Sequence, residues 1–244
     1  MEAAVISEKG FRPEMEDAYS LDLNFGNKGW LFGGIYDGHI GSFAARYASE
    51  RLHQIFLDKL LLGLSPQQAF VESYNRTSDE LKTQDSGTTA VNFFIRDRDI
   101  FTANVGDARA IVIGTTGFQQ LTVDHRLDNV EERQRIEEMG GQIHYPYTYR
   151  GDLGLMPTRT IGDEYFKPVG IIATPSVNKY KIPEYDLILL AACDGLFDVM
   201  TNEEVADFVR RLPNPQQLVE VLRNEVLFNR FGTDNLTIIA VSLR

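Results

Sequence analysis

Two of the most apolar runs in the chain end in the same dipeptide. "WLFGGIYDG" runs into Asp37-Gly38 and "DLILLAACDG" into Asp194-Gly195. A carboxylate at the mouth of a buried strand is costly unless something neutralises it. A divalent cation would do so, since Mg²⁺ and Mn²⁺ prefer carboxylate, carbonyl and water oxygens. The neighbouring glycine lets a backbone carbonyl approach such an ion. His39 adds a titratable base directly after the first pair. Two further acidic clusters exist. "RPEMEDA" gathers Arg12, Glu14, Glu16 and Asp17 before a strand, and "GTDNLT" places Asp234-Asn235 before the last one. Together the four clusters hold enough carboxylates for a two-metal site, in which ions ~3.5–4 Å apart activate a bridging water. Taken singly, each Asp-Gly also reads as a hairpin turn and each cluster as a solvated loop. Spacing alone therefore stops at a carboxylate metal site.

The elements that must position these groups are legible in the pattern. Apolar or β-branched runs at Ala3–Ile6, Ala18–Phe25 and Trp30–Tyr36 read as strands. The next segment predicts a helix with Phe43, Ala44, Tyr47, Ala48, Leu52, Ile55 and Phe56 on one stripe. A second helix opens with Ser65 as cap and Pro66 at its first position. Four strand-like runs follow between residues 88 and 123, then a helix capped by Asp128 or Asn129 and stopped at Gly140-Gly141. Residues 142–163 carry no assignable pattern. "IIATPSVNKY", "DLILLAACDG" and "NLTIIAVSL" read as strands, "NEEVADFVRRL" and "NPQQLVEVLRNEVLF" as helices, the last capped by Asn214. Strands come in meanders and helices in pairs, with no regular β-α-β alternation. The fold class is therefore α+β, with antiparallel sheets and helices on their outer faces.

No linker, repeat or low-complexity run divides the 244 residues, so residues 1–244 read as one domain. The net charge of −11 argues against nucleic-acid partners. No apolar run has membrane-span length, and the start lacks a secretory pattern. Cys193 is the sole cysteine and reads as a small buried residue in a reducing compartment. The cytoplasm is the expected location. The thiolate loop of cysteine phosphatases, the P-loop, His-Glu-x-x-His and Gly-x-Ser-x-Gly are all absent.

Nine segments in order carry a resemblance: "FRPEMEDAYS", "IYDGHIG", "SGTTA", "ANVGDARAIV", "LTVDHR", "RIEEMGGQI", "TRTIGDEYFK", "LLAACDGLFDVM" and "TDNLTIIAV". The chain resembles the metal-dependent type-2C serine/threonine protein phosphatases over nearly its whole length. The resemblance implies a four-layer sandwich, two antiparallel β-sheets each flanked by a pair of antiparallel helices. It implies hydrolysis of phosphoserine and phosphothreonine on phosphorylated proteins, with two Mg²⁺ or Mn²⁺ ions and a weaker third. Asp37 would bridge the two ions, Gly38 and Glu16 would serve one, and Asp194 and Asp234 the other. Asp17 would stand behind them. Arg12 would clamp the phosphate, His39 would act as general acid, and Asp124 would pair with His39 and help hold the third metal. A monomer is the expected state.

Asp107 and Asp163 match motif positions and read as structural. Asp198 reads as a helix cap or a supporting group, and Arg159 as fixing a loop near the site. His53, His125 and His144 receive no chemistry. Departures are few: Ile40 stands where glycine is usual, Ala108 where serine is common, "MPTR" precedes "TIGD", and the segment from Phe166 to Thr174 is short. No metal ligand is lost, which favours an enzyme over a pseudophosphatase that only docks phosphorylated partners.

Overall fold

The computed structural model describes residues 1–183 and 186–244. Alternation of side chains builds its core. In strand Trp30–Tyr36, Phe32 and Tyr36 point to one face while Leu31 and Ile35 point to the other. Both faces are buried, so the run reads as continuously apolar. The strand sits in an antiparallel sheet ordered Ser176–Lys181, Asp99–Val105, Ala90–Arg96, Trp30–Tyr36, Ala18–Phe25. A second antiparallel sheet is ordered Ala3–Glu8, Leu236–Ser242, Asp186–Ala192, Arg109–Gly114, Phe118–Gln120.

The two sheets face one another. Leu31, Ile35, Val91 and Phe93 from one interdigitate with Ala110, Val112, Leu189, Ala191 and Ile239 from the other. Helices Phe43–Leu61 and Pro66–Glu80 cover the outer face of the first sheet, where Phe32, Phe56, Phe70 and Phe94 cluster. Helices Asn202–Arg211 and Pro215–Asn224 cover the second with Val205, Val209, Leu218 and Leu222. The four-layer expectation is met.

Local signals set the helix starts. Ser65 and Gln68 form a reciprocal capping box, with Pro66 at the first turn. Asn129, rather than Asp128, caps Val130–Glu138, and Asn214 accepts from the Gln217 amide. One stripe residue departs from expectation: Phe43 is 51% exposed, and Ala45 takes the inward place at that end. The unassigned stretch forms three short antiparallel strands, Gln142–His144, Tyr147–Arg150 and Leu153–Leu155. Among the described residues, no helix is long and apolar enough to cross a membrane.

Candidate active site

Asp37 and Asp194 leave facing sheets at the same end of the sandwich. Neither Asp-Gly is a hairpin turn: Gly38 begins the two-residue strand Gly38–His39, and Asp194-Gly195 opens helix Asp194–Phe197. The glycines permit close backbone approach. A Cβ on Gly38 would stand 2.5 Å from the Glu16 carbonyl oxygen, and one on Gly195 2.0 Å from that of Asn235. The N-terminal acidic loop and the last strand are thereby pressed against the two aspartates. Asn235 pins that loop, its side chain donating to the carbonyls of Lys9 and Glu14 at 2.8 and 3.0 Å and accepting from the Glu16 amide at 2.8 Å.

These contacts gather Arg12, Glu16, Asp37, Gly38, His39, Asp194 and Asp234 around one cleft of about 300 Å³. Thr89, Asp107 and the wall Gly154–Pro157 complete it. The Arg12 guanidinium lies 3.7 Å from Glu16 and 3.4 Å from Asp234 and is half exposed. Glu16 Oε1 accepts from the Gly41 amide at 2.6 Å.

The electrostatics of this cleft call for a cation. Burial, reinforced by the charges of Asp194, Asp17 and Asp107, pushes the Asp37 carboxyl well above its ordinary range. Burial likewise raises Asp194 to about 8, with Asp107, Asp198 and Asp234 adding to it. Asp37 and Asp194 lie within range to share a proton. Burial raises Asp17 to about 6, against a 2.7 Å hydrogen bond donated by Thr237. Its Oδ1 has no partner, nor does the buried Thr89 hydroxyl. Crowded carboxylates and orphaned oxygens fit a hard divalent ion. Cys193 Sγ lies within 4.8 Å of oxygens of Asp17 and Asp37, yet it is not a ligand in this arrangement. It accepts from the Thr237 amide and donates to the Asn235 carbonyl, and burial holds the thiol protonated.

His39 is placed by a small sheet. Gly38–His39 pairs with Gly87–Thr88, which pairs with Ile161–Gly162. His39 and Asp163 meet across the central Gly87, with Nε2 2.8 Å from Asp163 Oδ2. A Cβ at position 87 would stand 2.0 Å from that oxygen, so only glycine leaves room for the pair. Burial alone would lower the His39 pKa. The Asp163 charge and hydrogen bond, aided by Glu16 and Asp107, outweigh it and hold the pKa above 6.5. For Asp163 the opposing effect of burial is outweighed by His39, and its pKa falls.

The expected pairing of His39 with Asp124 is therefore corrected. Asp124 accepts from Arg109 Nε at 3.2 Å and Nη2 at 2.5 Å, and from Gln120 Nε2 at 3.1 Å. A guanidinium fork matches a carboxylate edge to edge, and Arg109 reaches on to Asn202 at 2.6 Å. Asp124 braces sheet to helix outside the cleft lining. Both of its oxygens are engaged by the Arg109 guanidinium.

Sequence reasoning undervalued three groups. Asp163, in "TIGDE", reads as structural from sequence but pairs with His39. Asp107 lines the cleft and accepts from Arg126 Nε at 2.7 Å. Arg126 also donates to Asp198 at 2.9 Å and lies 3.6 Å from Asp194, a built-in cation among the carboxylates. Arg159 fixes its loop as expected, through buried Glu132 at 2.6 Å. His125 is buried against Ser176, and burial lowers its pKa to about 3, so it stays neutral. Ile40, just after His39, has φ 55° and is 61% exposed. That left-handed backbone costs a non-glycine residue ~1–2 kcal/mol.

The protein phosphatase 2C family model matches residues 1–230. A probable protein phosphatase 2C 45 of Oryza sativa subsp. japonica is 32% identical over 96% of this chain and 85% of its own length. Protein phosphatase 2C homolog 1 of Saccharomyces cerevisiae is 29% identical over 96% of this chain and 89% of its own length. The crystal structure of a serine-threonine phosphatase 2C from Toxoplasma gondii superposes with a TM-score of 0.88 at 23% identity, covering 99% of this chain and 94% of that one.

Proposed function

The chain belongs to the protein phosphatase 2C family, and from that premise we propose that it hydrolyses phosphoserine and phosphothreonine on proteins by attack of a metal-activated water. The observation that carries this reading is the convergence of Arg12, Glu16, Asp37, Gly38, Asp194 and Asp234 on one cleft with a carboxylate-paired histidine at its edge. Asp37 would hold two Mg²⁺ or Mn²⁺ ions, with Glu16 and the Gly38 carbonyl on one and Asp194 and Asp234 on the other. Such ions, when bound, lower the pKa of a shared water and supply hydroxide at neutral pH.

The chain's own groups do the rest. Arg12 is only loosely engaged by Glu16 and Asp234, so its fork is free to receive two phosphoryl oxygens and hold the phosphorus for in-line attack. A serine or threonine alkoxide leaves poorly unless protonated. His39 serves as general acid, and Asp163 raises its pKa against the effect of burial, favours the protonated form and fixes its ring. With Nε2 committed to Asp163, Nδ1 is the atom that delivers the proton. Leu155, Met156 and Pro157 form an apolar wall on one side of the cleft.

The test is phosphate release from a phosphothreonine peptide with Mn²⁺ and with chelator. Turnover that requires the metal is expected, with a melting temperature that rises on adding Mn²⁺. A folded sample whose melting temperature rises with Mn²⁺ but which releases no phosphate would overturn the reading.

A further inference from the structure

A second concavity begins where the His39–Asp163 pair ends. It encloses about 540 Å³, with apolar walls from Ile40, Leu153, Tyr165 and Phe166 and Asp163 at its floor. The two concavities adjoin along both walls. Ile40 follows His39, and Leu153 precedes Gly154 and Leu155 of the catalytic cleft. The His39–Asp163 hydrogen bond links them, His39 lining the first and Asp163 the second.

Ile40 is the anomaly. A β-branched residue is a poor choice for left-handed backbone, where glycine is free of strain. Its side chain stays 61% exposed, so packing within the chain does not repay that strain. Leu153 and Tyr165 beside it are 55% and 47% exposed. Three apolar side chains thus project into one concavity at the rim of a catalytic cleft. Strain held at such a place points to a contact made with a ligand.

We propose that this groove receives an apolar side chain of the phosphoprotein substrate within three residues of the phosphorylated one, and that Ile40 sets this preference. The proposal rests on the phosphatase reading above. An extended peptide advances about 3.3 Å per residue with alternating side chains, so a chain whose phosphate lies in the cleft lays a near neighbour over Ile40. Glu164 and Asp85 line the groove against one cation, Lys82, which is itself paired with Asp79, so an acidic neighbour is less favoured than an apolar one.

The experiment measures kcat/KM with Mn²⁺ on phosphothreonine peptides in which leucine, glycine or glutamate is walked from three residues before to three residues after the phosphothreonine. 4-Nitrophenyl phosphate reports whether the enzyme is active at all. Leucine is expected to exceed glycine by roughly five- to tenfold at one position, the effect of partly burying one such side chain, with glutamate lowest. Ile40→Gly and, separately, Leu153→Ser should bring the leucine-to-glycine ratio within about twofold of unity, while melting temperatures confirm that both variants fold. Activity on 4-nitrophenyl phosphate with no positional leucine preference overturns the groove assignment and leaves the phosphatase reading standing. A preference unaltered in both variants also overturns it. Inactivity on every substrate overturns the phosphatase reading and the groove assignment with it.

Discussion

Gly87→Ala separates the proposed general acid, His39, from the carboxylates proposed to hold metal. The added Cβ would stand 2.0 Å from Asp163 Oδ2, 2.3 Å from its Cγ and 2.4 Å from Oδ1. Ordinary contact begins near 3.4 Å, so the carboxylate must retreat by about 1.4 Å, the difference between 3.4 and 2.0 Å. A 2.8 Å hydrogen bond to His39 does not survive a shift of that size directed away from it. Overpacking of this kind costs about 1–3 kcal/mol of stability, read from urea unfolding. Loss of a positioned general acid costs about 10²-fold or more when the leaving group needs its proton. A threonine alkoxide needs it and 4-nitrophenolate does not. The expected result is a loss of about 10²-fold in kcat on a phosphothreonine peptide and only a few-fold on 4-nitrophenyl phosphate. Asp163→Asn, which preserves shape, should show the same contrast. Equal losses on the two substrates, or none in a folded variant, would refute the assignment of His39 and Asp163.

Glu132 is buried and accepts from Arg135, Arg159 and Thr158, so Glu132→Gln should cost about 3–5 kcal/mol in urea unfolding. Burial works against its ionisation, but those donors prevail and hold its pKa below the usual 4.5. The stability it contributes is therefore complete above about pH 4.5 and declines as the pH falls, and the gap between wild type and variant should narrow between pH 5 and pH 3. Asp124→Asn should cost about 1–2 kcal/mol through Arg109 and leave the ratio of peptide to 4-nitrophenyl phosphate turnover unchanged. A collapse of that ratio would return Asp124 to the general-acid pair.

The sandwich was legible because its strands and helices are long, periodic and capped by local chemistry at Ser65 and Asn214. The gathering of Glu16, Asp37, Asp194 and Asp234 was legible because each is a carboxylate beside a strand, while the roles expected of them came from the family resemblance. The partner of His39 was not, because it depends on two-residue strands whose register is set by the empty side of Gly87, a contact spanning 124 positions of sequence. Asp124 misled for a related reason: the guanidinium that claims it lies fifteen residues back on a neighbouring strand. Residues 142–163 escaped assignment because strands of two to four residues leave too few alternations to read.

Strand Leu236–Ser242 lies between Ala3–Glu8 and Asp186–Ala192, and Asn235 beside it secures the loop that carries Glu16. A nascent chain emerging from the ribosome thus holds strand Ala3–Glu8 without its sheet neighbour until Leu236–Ser242 has been made. The second sheet closes, and the cleft gains Asp234, only at that moment. Synthesis has a built-in delay: the pairing of Ser7 with Thr237 spans 230 positions, and all of the intervening chain must exist before the cleft is complete. An unpaired edge exposed for so long is a hazard for aggregation, and slow translation of the segment Leu236–Ser242 would lengthen it.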